Sequence, residues 1–154
     1  MVSGAVWFRT DLRLDDNPAL NSAMEKCSQI VGIYLFSEAQ WNLHNESNIK
    51  HEFLLNNLTS LDKTLSRLNI PLIAINTDSY ETLPKDLLTF LVKHKIDNIF
   101  WNNEFGVNET DRDIAVERNL NKNNIQISRF DDQVIFKPGY LKTGQGNPFS
   151  VFTP

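Results

Sequence analysis

Asn108 and Glu109 stand next to each other and could hold a small molecule. Asn108 offers a carbonyl acceptor and an amide donor, and an ionised Glu109 only accepts, so the pair can match a ligand edge that mixes donors and acceptors. A structural alternative stands beside this reading: Asn108 can cap a helix, and Glu109 can favour its positive N-terminal end. Both roles can hold at once. A second group, Arg9, Asp11 and Arg13, can form a charged network at a strand end that orients a loop or meets another domain across an ion-paired interface.

Other chemistry-capable residues carry less. Trp7 and Trp101 lie in apolar runs where packing is the expected role, and Trp41 is expected to pack under a connecting loop. His44, His51 and His94 fall in separate segments without a cysteine or carboxylate at metal-ligand spacing, so no metal site is predicted. Gly144-Gln145-Gly146 lacks both the third glycine and the strand-to-helix setting of a dinucleotide fingerprint and is read as a turn. No catalytic residue is expected in the segment.

The elements that must position these groups follow from pattern. Ala5–Phe8 is a short apolar run suited to a buried strand, and Asp16 or Asn17 before Pro18 predicts a capped helix over 18–26. Gln29–Phe36 predicts a second strand. Phe53, Leu54, Leu58, Leu61, Leu65 and Leu68 recur at spacings of three and four, which predicts one buried helical face between Ile49 and Leu68. Strands are predicted at 71–75, 98–101 and 125–127. Between them lie a helix over 83–94 with Leu87, Leu88, Leu91 and Val92 inward, and one beginning at Asn108 with Ile114, Val116 and Leu120 inward.

Alternating strands and helices with short connections predict an α/β Rossmann-like three-layer sandwich on a five-stranded parallel sheet. Ligands of such sheets bind beyond the carboxyl ends of the strands, which points to the loops at 9–17 and 102–109.

Bulk properties exclude several classes. The 154 residues, 41% hydrophobic and 22% charged, suit one folded domain. A formal charge of −4 without a run of Lys and Arg argues against direct DNA binding by this segment. Cys27 is the single cysteine, so no internal disulfide is possible and a reducing cytoplasm suits the chain. The N-terminus lacks signal-peptide features, and no apolar run approaches the roughly 20 residues of a membrane span. A monomer is expected.

The tail from Lys137 is predicted to be loop. Tyr140, Pro148, Phe149, Val151 and Phe152 lie there without any helical or strand period and call for a further surface to pack on. The expected division is therefore an α/β antenna-type domain over 1–130 and the start of a linker over 131–154.

Val6-Trp7-Phe8-Arg9-Thr10-Asp11-Leu12-Arg13-Leu14-Asp15-Asp16-Asn17-Pro18-Ala19-Leu20 resembles, without gaps, the opening signature of the DNA photolyase/cryptochrome family. Gln40-Trp41 with His44-Asn45, Val107-Asn108-Glu109 with Arg112-Asp113, and Val151-Phe152-Thr153-Pro154 agree in order and position, so the resemblance spans essentially the whole chain. Gln40-Trp41 and Asn108-Glu109 look most like bacterial class I folate-type cyclobutane pyrimidine dimer photolyases.

The resemblance implies an N-terminal light-harvesting domain ahead of a helical domain that binds FAD and receives the flipped-out lesion of UV-damaged DNA. It implies a 5,10-methenyltetrahydrofolate antenna between the domains, with Asn108 and Glu109 as its ligands on this side. The antenna would pass excitation energy to reduced FAD, which splits the dimer by electron transfer, the work of a carbon–carbon lyase. Some relatives hold a deazaflavin or flavin mononucleotide deeper in this domain, near Arg9. Two other functions remain open. A cryptochrome-type blue-light receptor shares this domain, whereas a free-standing nucleotide-binding module would not be expected to carry the Arg9–Leu20 signature and would bind ATP or AMP in a thermal-shift assay.

Overall fold

The protein was analysed as a computed structural model that describes residues 2–43 and 47–149. Strand β1 (Ser3–Phe8) is followed by α1 (Pro18–Lys26), β2 (Gln29–Phe36), α2 (Glu38–Leu43) and α3 (Asn48–Ser66). Then come β3 (Leu72–Asn76), α4 (Leu83–Lys93), β4 (Asn98–Asn102), α5 (Val107–Lys122) and β5 (Gln126–Phe130). All pairings are parallel, and the strand order is β3-β2-β1-β4-β5. The predicted three-layer α/β sandwich is the observed one.

Alternation along β1 explains why the sheet is covered on both faces. Ala5 and Trp7 pack with Ile33, Ile99 and Trp101 against Leu87 and Leu91 of α4 and Val116 and Leu120 of α5. Val6 and Phe8 point the other way, with Phe100, onto Ala19, Leu20 and Ala23 of α1 and Leu61 and Leu65 of α3. A strand buried on both faces has no polar side to show, hence its continuous apolar run. At Gly32 the fit is close enough that a Cβ would stand 3.0 Å from Leu72 Cδ1 and 3.2 Å from Leu65 Cδ1.

The turn before α1 is built by polar side chains. Asp16 takes φ 51°, and Asn17 then caps α1 by accepting from the Leu20 amide at 3.2 Å, with Pro18 in the first turn. Of the two cap candidates, Asn17 is therefore the one used.

Several expectations need correction. The helix predicted from Ile49 is present, but only Leu61 and Leu65 are buried; Phe53 is 69% exposed and Leu68 also faces outward. The N-terminal half of α3, with His51, Phe53 and Leu54, lines an open cleft rather than the core, so its apolar period continues past the surface that covers it. Val92 and Ile114 are likewise exposed rather than inward. Helix α5 starts one residue before Asn108, with Gly106 as N-cap, so Asn108 does not cap it. Strand β5 runs on to Phe130, through Ser128 and Arg129, which a half-exposed edge strand tolerates.

Residues 131–149 contain no helix or strand, and Tyr140 and Phe149 are exposed there. His44-Asn45 and Val151–Pro154 lie outside the described residues. Among the described residues, no helix is long and apolar enough to cross a membrane.

Candidate functional site

Strand order reverses between β1 and β4, and both end in polar residues. Two separate buried clusters form there. In the first, Asn102 donates to Asp11 Oδ2 at 2.6 Å and to Asn17 Oδ1 at 2.9 Å, while its own oxygen accepts from the Ala19 amide at 3.2 Å. Asp11 Oδ1 accepts from the Arg9 amide at 2.8 Å. This ties β1, β4 and the start of α1 together, and its strong donors all find acceptors.

The second cluster is ionic. Asp113, wholly buried, takes both carboxylate oxygens to Arg9 Nη1 at 2.8 Å and accepts from Arg112 at 2.8 Å. Glu104 accepts from Arg112 Nη2 at 3.0 Å and stands 3.7 Å from Arg9 Nε. The two guanidiniums also lie over the Trp7 ring, 5.0 Å (Arg9) and 4.9 Å (Arg112) from its centroid. Burial lowers the pKa of Arg9 despite Asp113. For Arg112 burial acts in the same sense, but Asp113 and Glu104 outweigh it and raise the value. Arg9 Nε and Nη2 are buried without a hydrogen-bond partner, although Arg9 is only 5% exposed.

This second cluster floors a cleft of about 800 Å³ at the carboxyl ends of β1 and β2. One wall is aromatic: Trp41 of α2 stacks on His51 of α3 with centroids 4.2 Å apart and on Phe36 at 5.9 Å. Tyr80 also lines the cleft, its ring centroid 5.3 Å from the Arg112 guanidinium, with burial raising its pKa above the ordinary 10.0. Asn108 and Glu109 stand at the rim, in the first turn of α5. Asn108 is exposed, and the half-buried Glu109 folds its carboxylate back over Gly106, where a Cβ would collide with it. A carboxylate there also suits the positive end of α5.

The DNA photolyase family matches residues 5–154. The chain belongs to that family.

Deoxyribodipyrimidine photo-lyase of Escherichia coli is 35% identical over 155 residues, covering 100% of this chain and 32% of that protein. The mitochondrial deoxyribodipyrimidine photo-lyase of Saccharomyces cerevisiae is 30% identical over 168 residues, covering 96% of this chain and 29% of that protein. A class III photolyase from Agrobacterium tumefaciens has a TM-score of 0.78 at 24% identity, covering 99% of this chain and 30% of that one. An archaeal photolyase from Sulfolobus tokodaii, solved with two FAD molecules, also reaches 0.78, at 22% identity over 92% of this chain and 32% of its own. These structural likenesses show the fold. The chain spans about a third of the length of the curated relatives it matches (32% for the first).

Within this photolyase-family domain, the structure separates residues that the sequence grouped. Arg9, Asp11 and Arg13 do not form one network: Arg9 turns to Asp113, Asp11 to Asn102, and Arg13 to Asp132 at 2.7 Å. The expected shared network is therefore replaced by three separate pairings, because each side chain leaves the strand end toward a different element. Trp41 does not pack under a loop but lines the cleft. Trp7 and Trp101 pack edge to face with centroids 5.6 Å apart.

The tie between Arg9 and Asp113 spans 104 positions, and no local spacing announces it. The one available signal was the Arg112-Asp113 pair, which falls on the inward side of a helix where apolar residues were expected. Among the described residues, no group of three or more His, Cys, Asp or Glu is placed to hold a metal ion.

Proposed function

We propose that this chain is the light-harvesting domain of a class I deoxyribodipyrimidine photolyase, with 5,10-methenyltetrahydrofolate held at the cleft rim by Asn108 and Glu109. The observation that carries the reading is their placement: adjacent in the first turn of α5, both lining the one end of the sheet where strand order reverses. Their donor and acceptor set fits the mixed edge of a pterin ring. Bound there, the folate supplies absorption of near-ultraviolet and blue light. Asn108 would orient the ring through its amide, and Glu109 would leave Gly106 to accept from ring N–H groups. Flavin chemistry and lesion binding belong to a helical domain beyond residues 131–154, reached through them as a linker, and UV-damaged DNA is met there.

A second reading concerns the floor of the same cleft. The two unpartnered nitrogens of Arg9 favour a deeper ligand that presents acceptor atoms, a flavin-type antenna among them.

The test uses protein expressed from the full reading frame, beside an Asn108→Ala, Glu109→Ala variant. Absorption, extracted chromophore and blue-light dimer repair are measured. Loss of a folate band with flavin-driven repair retained supports the proposal. A flavin or deazaflavin antenna extracted from both proteins favours the deeper site, and light sensitivity without repair favours a blue-light receptor. Absence of any flavin would overturn the photolyase reading.

A further inference from the structure

We infer that Asp131–Gln133 is a strap that couples the ligand cleft to the chain leaving the sheet, with Asp132 and Gln133 acting as positioning residues for antenna energy transfer. The inference rests on the light-harvesting reading above. Its basis is a run of side-chain ties immediately after β5. Asn103 Nδ2 donates to Asp131 Oδ1 at 2.6 Å, Arg13 Nη2 to Asp132 Oδ1 at 2.7 Å, and Gln133 Nε2 to Thr10 Oγ1 at 2.9 Å. Three consecutive residues without regular structure thus hold the two loops at the carboxyl ends of β1 and β4.

The middle tie is the anchor. The Asp132 side chain is 8% exposed although it sits in an open loop, and its hydrogen bond is the leading cause of a raised Arg13 pKa. Arg13 is itself fixed to the backbone carbonyls of Asp15 at 3.1 Å and Asp16 at 2.7 Å. The outer tie continues inward. Thr10 Oγ1 donates to Glu104 at 2.8 Å, and Glu104 accepts from Arg112, which bonds Asp113 beneath the cleft. A continuous hydrogen-bonded chain therefore runs from Gln133 to the cleft floor, and coupling along it is the quantity the experiment reads.

A loose exit would serve if the segment only had to connect two domains. The strap instead sets the direction in which the chain departs, on the same end of the sheet as the cleft. Excitation transfer between two chromophores depends steeply on their separation and mutual orientation. Fixing the start of the departing chain narrows both, and neither Asp132 nor Gln133 lines the cleft, so binding and transfer can be read separately.

The experiment compares full-length protein with an Asp132→Ala, Gln133→Ala variant, with added 5,10-methenyltetrahydrofolate as the probe. Four quantities are read: folate occupancy, antenna emission, repair driven at antenna-absorbed against flavin-absorbed wavelengths, and hydrogen exchange over residues 134–149 without added folate. Expected are unchanged occupancy and flavin-driven repair, a rise in antenna emission, a loss of antenna-driven repair, and faster exchange.

Asp132→Asn keeps an oxygen for Arg13 and should restore transfer, which a mere loss of stability would not predict. Gln133→Ala alone removes one exposed tie and should move emission in the same direction by less, even if the double variant does not fold. Unchanged emission and exchange in folded, folate-loaded variants would overturn the strap alone. An unsubstituted protein with no antenna band would overturn the light-harvesting reading instead.

Discussion

The two buried polar clusters at the β1/β4 end are neighbours and equally hidden, yet they are finished differently. Around Asn102, each amide hydrogen and carboxylate oxygen meets a partner within the domain, joining two strands to the start of α1. Around Asp113, Arg9 and Arg112 share two carboxylates, Arg129 stands a further 3.7 Å from Asp113, and Arg9 is left with unpartnered nitrogens beside an open cleft. Burial alone does not mark a binding site, since both clusters are buried. What separates them is surplus hydrogen-bonding capacity at a cavity wall, which a structural cluster would be expected to eliminate.

The largest expected effect is at Asp113. Asp113→Ala strands two buried cations, with only Glu104 left to answer them, and should cost about 3–5 kcal/mol in urea unfolding. Asn102→Ala should cost less, roughly 1–3 kcal/mol, because it unpairs neutral amides and one oxygen of Asp11, whose other oxygen keeps the Arg9 amide, and strands no cation. If the order were reversed, the ionic cluster would not be the more constrained of the two.

The ionic side can be sharpened through pH. Tyr80, whose pKa is raised by burial with Arg112 opposing, favours its neutral form when folded. Its contribution to stability is therefore fully present below about pH 10, its unfolded value, and is lost as pH rises through the higher folded value. Tyr80→Phe should flatten the alkaline fall in melting temperature, and an unaltered fall would remove Tyr80 as its source.

The smallest effect tests whether an unmatched donor always signals a ligand. Trp101 Nε1 is also buried and unpartnered, but it lies in the core rather than on the cleft wall. Trp101→Phe removes that donor but leaves a small cavity beside Trp7, so the change should be about 1–2 kcal/mol by thermal unfolding. Folate retention should not change. A loss of folate with the fold intact would mean that core donors also report on the site.

Much of the fold was legible because its signals are local. Ala5–Phe8 is apolar throughout and Gln29–Phe36 nearly so, as suits strands covered on both faces, and Asn17-Pro18 announces a helix start within two residues. Where the reading failed, the deciding neighbour was distant. Phe53, Val92 and Ile114 keep helical period with core residues, but period states only which residues share a face, and the extent of the opposing surface decides which are covered.

The sequence by itself determined the alternation of strands and helices, the family signature from Val6 to Leu20, and the pairing of Asn108 with Glu109 in one helical turn. Only the tertiary structure decided that Arg9 answers to Asp113 rather than Asp11, that Trp41 and His51 wall a cleft, and that Asp132 reaches back to Arg13. The reason is geometric. Local pattern sets conformation and facing within one element, whereas partners across the sheet are chosen by strand order, and the order β3-β2-β1-β4-β5 brings the ends of β1 and β4 together across more than ninety residues of chain.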